Sequence, residues 1–146
     1  MFSPLRYEND LLKNMGSAFI INYDKEIIVP CEKGYYIEAV VRSQVHIARI
    51  SRRLLKEKKP NEIKIIDKIH ERDLYNTLFF SGVVNTILYN KLIKLWKERC
   101  IYAHKLESVN ISKRQSIQLV IESLKIIEKL DNGKLKKFID RLSALL

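Results

Sequence analysis

Apolar residues recur three and four positions apart through most of this chain, the spacing of one face of an α-helix. The first long run, about Tyr35 to Lys58, carries Ile37, Val40, Val41, Val45, Ala48 and Leu55 as its apolar stripe. Lys59-Pro60 breaks it. Asn61 is placed to cap a second helix that buries Ile63, Ile66 and Ile69, and Asp73 to cap a third. Leu74, Leu78, Phe79 and Phe80 lead to a kink or short break at Ser81-Gly82. The pattern then resumes through Val84, Ile87, Leu88, Leu92, Leu95 and Trp96, and runs straight into Arg99. Leu106 to Ile111 reads as a short polar loop. Ser112-Lys113-Arg114-Gln115 has the form of a capping box. The helix it opens places Ile117, Val120, Ile121, Leu124, Ile127 and Leu130 at core spacing. Asp131-Asn132-Gly133 stops that helix, with glycine able to take positive φ. Leu135, Phe138, Ile139 and Leu142 mark one side of a last helix, about Lys134 to Leu145.

The N-terminal third reads less regularly. Pro4 to Met15 fits a short helix with Leu5, Leu11, Leu12 and Met15 on one side, stopped by Gly16-Ser17. Phe19-Ile20-Ile21 and Ile27-Ile28-Val29 are β-prone runs joined by Asn22-Tyr23-Asp24-Lys25, so a small hairpin ending at Pro30 is expected. The sum is an all-α fold: an antiparallel bundle of four to five main helices with that hairpin near its start. The 146 residues suit one domain, with 1–33 as an N-terminal extension, 34–130 as the core bundle and 131–146 as a C-terminal helix. No apolar run approaches the ~18 residues of a membrane span, and Met1 to Asp10 lacks the basic and apolar regions of a signal peptide. Cys31 and Cys100 are isolated and suggest reduced thiols in a cytoplasmic protein.

Charge alters this picture. The net charge is +10, which favours polyanionic partners, nucleic acid before membrane. A Lys- and Ile-rich composition of the kind found in thermophiles would raise it equally well. Arg42, Arg49, Arg53 and Lys56 fall at i, i+7, i+11 and i+14 and form a basic stripe about 20 Å long. It is either a track for an RNA backbone or a solvated helix face. Glycine-rich phosphate loops, HExxH and nucleophilic serine contexts are missing from the sequence, and His46, His70 and His104 are too scattered for a metal site. No metal or other cofactor is expected.

What remains is Arg99 with His104. On a straight helix they stand about 140° apart. They converge only if the helix is distorted or ends between them, or if two copies face each other. Arg99-Cys100-Ile101-Tyr102-Ala103-His104, after Leu92-Ile93-Lys94-Leu95-Trp96, resembles the RxxxxH signature of the HEPN superfamily. Gly34-Tyr35-Tyr36-Ile37-Glu38-Ala39-Val40-Val41 is similar to the opening of the first long helix in such domains, and the resemblance spans about Gly34 to Leu130. It implies a helical bundle that forms homodimers and, in catalytic members, a metal-independent endoribonuclease, toxin-like or defence-related, sometimes held by an antitoxin. In that reading His104 is the general acid or base for attack of a ribose 2′-hydroxyl. Arg99 holds the phosphate and the charge that develops on it. The products would be a 2′,3′-cyclic phosphate and a 5′-hydroxyl. Tyr102 either stacks on a base or is buried in the bundle, and His46 either approaches the motif or is packed away. Family members commonly have asparagine where this chain has Cys100, a weak hydrogen-bonding group. That departure supports the alternative: a non-catalytic helical module that binds nucleotide, RNA or a protein partner.

Overall fold

The computed structural model describes residues 22–105 and 112–146, and among them every regular element is helical. A π-helical turn, Asp24–Ile28, leads into α1 (Val29–Glu32). Then come α2 (Tyr36–Lys58), a 3-10 turn Pro60–Glu62, α3 (Ile63–Ile66), α4 (Glu71–Phe80), α5 (Thr86–Lys105), α6 (Lys113–Asp131) and α7 (Lys136–Ser143). The expected helix from Pro4 to Met15, the run Phe19 to Ile21 and the loop Leu106 to Ile111 lie outside the described residues.

The expected hairpin is corrected. Ile27, Ile28 and Cys31 are fully buried on one side of consecutive helical turns, where the spacings of three and four bring them together. Asn22 Oδ1 accepts from the Lys25 amide at 3.0 Å, so Asn22 starts a helical turn and not a hairpin. Pro30 opens α1 because a missing N–H costs nothing in a first turn. Gly34 takes φ +91°, a conformation suited to glycine, and reverses the chain into α2.

The core gathers around α2 and α6, which pack on each other more extensively than any other pair. Their contact buries Ile47, Ile50 and Leu55 with Val120, Leu124 and Ile127. The α4–α5 pair lies alongside: α4 packs on α2 and α5 on α6. The buried stripe of α2 differs from the expected one. Val40 and Leu55 are buried, but Ile37, Val41 and Val45 are 48%, 51% and 42% exposed. In their place the helix buries Ala39, Ile47 and Ile50 together with Ser43, Gln44, His46 and Ser51. Ser43, Gln44 and His46 pass inward because partners meet them, and Ser51 is small enough to follow. Ser43 Oγ donates to the Val40 carbonyl at 2.8 Å. Gln44 Nε2 donates to Ser123 Oγ at 3.0 Å, and Ser123 in turn donates to the Leu119 carbonyl at 2.7 Å.

Helix ends follow local chemistry, with shifts. Asn61 sits in the 3-10 turn and is no cap, and of Ile63, Ile66 and Ile69 only Ile66 is fully buried. Asp73 lies inside α4, which starts two residues earlier. The Ser81-Gly82 break is real: α4 stops at Phe80, and Gly82 turns the chain at φ +76°. Asn85 Oδ1 then accepts from the Leu88 amide at 2.9 Å at the head of α5. Ser112 caps α6 through the Gln115 amide at 3.0 Å. At the far end Asn132, not Gly133, takes the left-handed conformation, φ 52°. The Glu128 carboxylate accepts from the Leu135 amide at 2.9 Å and holds the start of α7. Arg141 of α7 reaches Asp24 at 2.6 Å and also Glu32, which ties α7 to the N-terminal turns.

Candidate functional site

The helix α5 runs unbroken from Thr86 to Lys105, so Arg99 and His104 share a regular helix and diverge by about 140°. One chain therefore does not bring them onto a single phosphate. Arg99 Nη2 donates to Glu71 Oε2 in the first turn of α4. The other carboxylate oxygen accepts from the Tyr75 hydroxyl at 2.7 Å. Tyr75 is 1% exposed, and burial, with the Glu71 charge behind it, pushes its hydroxyl well above the ordinary phenol range. Beside this chain of groups Arg72 lies over the Trp96 ring at 5.6 Å. The guanidinium thus fastens α5 to α4, and 29% of the Arg99 side chain stays open to solvent.

His104 is exposed in the last turn of α5, Ala103 is exposed, and Cys100 is half-buried. Tyr102 turns the other way. It is 2% exposed, and its hydroxyl lies 3.0 Å from Ser116 Oγ on α6. Its ring fills the α5–α6 contact, so burial and not base stacking describes it here. His46 is packed against Tyr23 and does not join the motif: Tyr23 Oη and His46 Nε2 are 2.9 Å apart, with the rings edge-on at 5.3 Å.

The basic stripe of α2 is mostly committed to the fold. Arg53 pairs with Asp131 at the end of α6 and stands 3.9 Å from Glu57. Lys56 Nζ meets Asp67 at 2.5 Å. Arg49 is half-buried, and its charge acts on His46. Arg42 is exposed and pairs with Glu38 at 2.7 Å. An open cation track would need these charges unneutralised, and carboxylates from α2 itself, α6 and the α3–α4 connection meet Arg42, Arg53 and Lys56.

Hollows lined by described residues border α5. A groove of about 660 Å³ between α5 and α6 has Leu95 and Leu119 in its floor; the charges of Lys91 and Lys94 on its rim are offset by Glu98 and Glu122. A cleft of about 620 Å³ lies between the start of α2, with Tyr36, Ile37 and Val41, and the Tyr102–Ser116 pair. Among the described residues no group of three His, Cys, Asp or Glu side chains could hold a metal ion, and no helix is long and apolar enough to cross a membrane.

Glu71 is the residue at this site that sequence reasoning missed. It lies 28 positions before Arg99 and on another helix, so no spacing announces it. Its one local signal is an acidic residue in a first helical turn, which the helix dipole favours anyway. Arg99→Ala is expected to lower stability by about 1.5 kcal/mol, the scale of a lost charge-assisted hydrogen bond. His104→Ala should leave stability unchanged. Urea titrations of the two variants check this, and equal stability would sever Arg99 from its fastening role.

Comparison of the chain with models of known protein families, with curated proteins and with solved structures gives no match.

Proposed function

We propose that the protein is a non-catalytic helical interaction module of the HEPN-like bundle type, whose partner is a protein surface. The observation that carries this reading is the Arg99–Glu71 pair, continued to Tyr75. A carboxylate already occupies the guanidinium that would hold a scissile phosphate. The apolar positions left outside on α2 supply a contact surface, since contiguous exposed apolar side chains mark interaction sites more often than bare surface.

A second reading is favoured by His104, exposed on the last turn of α5 with its imidazole available for proton transfer. In that reading the protein is a metal-independent endoribonuclease, toxin-like or defence-related, active as a homodimer because Arg99 and His104 of one chain diverge. Incubation of a mixed RNA pool with the wild type and with His104→Ala, EDTA present, separates the two. The module reading expects no cleavage by either protein. Cleavage by the wild type that His104→Ala abolishes, while folding as the wild type does, overturns it in favour of the nuclease.

A further inference from the structure

The apolar side chains that α2 leaves outside are Ile37, Val41 and Val45, four residues apart each time. Each four-residue step turns the helix by about 40°, so the three cover one continuous arc of about 80°. Tyr35, 61% exposed, stands at the helix start, and the cleft beside Tyr36 continues the arc toward α5. Along one flank of this arc stand Glu38 and Arg42, each close to half exposed. Nothing on the inner side of α2 needs these residues: the helix already buries Val40, Ile47, Ile50 and Leu55 against its neighbours.

We propose that this face of α2 binds the same face of a second copy of the chain, with the two α2 helices antiparallel. This rests on the module reading above and names its partner. Charge and symmetry favour this partner. A two-fold axis at Val41 sets the Val41 residues against each other and Ile37 against the partner's Val45, so the apolar arc covers itself. Antiparallel helices related in this way bring identical flanks together. Glu38 then lies about 4.5 Å along the axis on one side of Val41, and the partner's Arg42 about 1.5 Å along on the same side, an axial offset of about 3 Å. A carboxylate and a guanidinium reach across that offset easily. Each chain supplies one of each, so two symmetric ion pairs flank the apolar seam. A parallel arrangement would instead set the charged flank of one helix against the uncharged flank of the other and form no such pairs. The pairing therefore selects both the partner and the orientation.

The test is the mass of the full chain in solution by sedimentation, with light scattering as a second readout. The wild type should be a dimer at micromolar concentrations. Glu38→Arg and Arg42→Glu should each raise the dissociation constant at least about tenfold, because each sets like charges against one another. Mixing the two variants should restore a dimer with one chain of each. One chain then carries arginine at both flank positions and the other carries glutamate at both, so every cross-chain pair is again of opposite charge. Val41→Glu should be monomeric and keep the wild-type helical circular dichroism, because its site is half exposed. A monomeric wild type overturns the proposal and leaves this face to a different protein, with the module reading still standing. Dimers unchanged in Val41→Glu, or no recovery on mixing the two charge variants, overturn it as well.

Discussion

Ile47→Ala should lower the unfolding free energy by about 3 kcal/mol, and Val41→Ala by less than about 0.5 kcal/mol. Both residues lie on α2, six positions apart, and both are β-branched and apolar. Ile47 is fully buried in the contact with α6, so truncation to alanine removes three carbons and opens a void beside packed neighbours. Val41 is 51% exposed, so truncation there removes surface that water already touches. The loss of β-branching even favours the helix slightly. The measurement is a urea titration of each variant at a concentration where the chains are separate, so that association through Val41 does not enter. A larger loss at Val41 than at Ile47 would mean that α2 is rotated by about a third of a turn about its axis.

That contrast shows where the sequence was legible. The helices after Gly34 announced themselves, because their apolar periodicity and their breaks agree: Lys59-Pro60, Ser81-Gly82, Ser112 and Asp131-Asn132-Gly133 all stand at helix ends. For α6 the expected apolar positions are the buried ones, since its stripe meets a core on a broad arc. For α2 only Val40 and Leu55 among them are fully buried. Ser43, Gln44 and Ser51 look polar as letters, yet two of them find hydrogen-bond acceptors inside the fold and all three are small or satisfied enough to be buried. Ile37, Val41 and Val45 look like core, yet they face outward. Periodicity reports that a helix has an apolar side; it does not report which of two apolar arcs meets the rest of the chain. The N-terminal turns failed for a related reason: three adjacent β-branched residues have strand propensity, and tertiary burial of Ile27 and Ile28 overrides it. At the candidate site Arg99 and His104 were legible as letters. Their neighbours were not, because Glu71, and likewise Asp131 for Arg53, come from helices far away in sequence. The same blindness made a stripe of four cations look open when two of them close internal contacts with Asp131 and Asp67.

Acid should destabilise the protein by a route that runs through His46. The imidazole is 1% exposed between Tyr23 of the N-terminal turn and the core side of α2, and Tyr23 in turn leans on Phe138 of α7, ring centroids 6.2 Å apart. Burial lowers its pKa from 6.5 to about 4; Arg49 and Arg53 on the same helix push it the same way, and Asp131 at the end of α6 opposes them. In the unfolded chain the ordinary value applies. A histidine whose folded pKa lies below its unfolded one stays neutral in the fold while the unfolded chain takes up a proton, so stability is complete above about pH 6.5 and falls as the pH drops toward 4. At 1.36 kcal/mol per unit the full loss approaches about 3 kcal/mol, and about 2 kcal/mol of it arrives between pH 7 and pH 5. His46→Gln keeps a group that can hydrogen-bond the Tyr23 hydroxyl and cannot take a proton in this range. Urea titrations of both proteins at pH 7 and pH 5 should show the wild type losing about 2 kcal/mol more than the variant. The difference between the two subtracts whatever the carboxylates contribute to acid sensitivity. A parallel decline in both would place the acid response in the ion pairs, Arg53–Asp131 and Lys56–Asp67 first among them, and not in the buried imidazole.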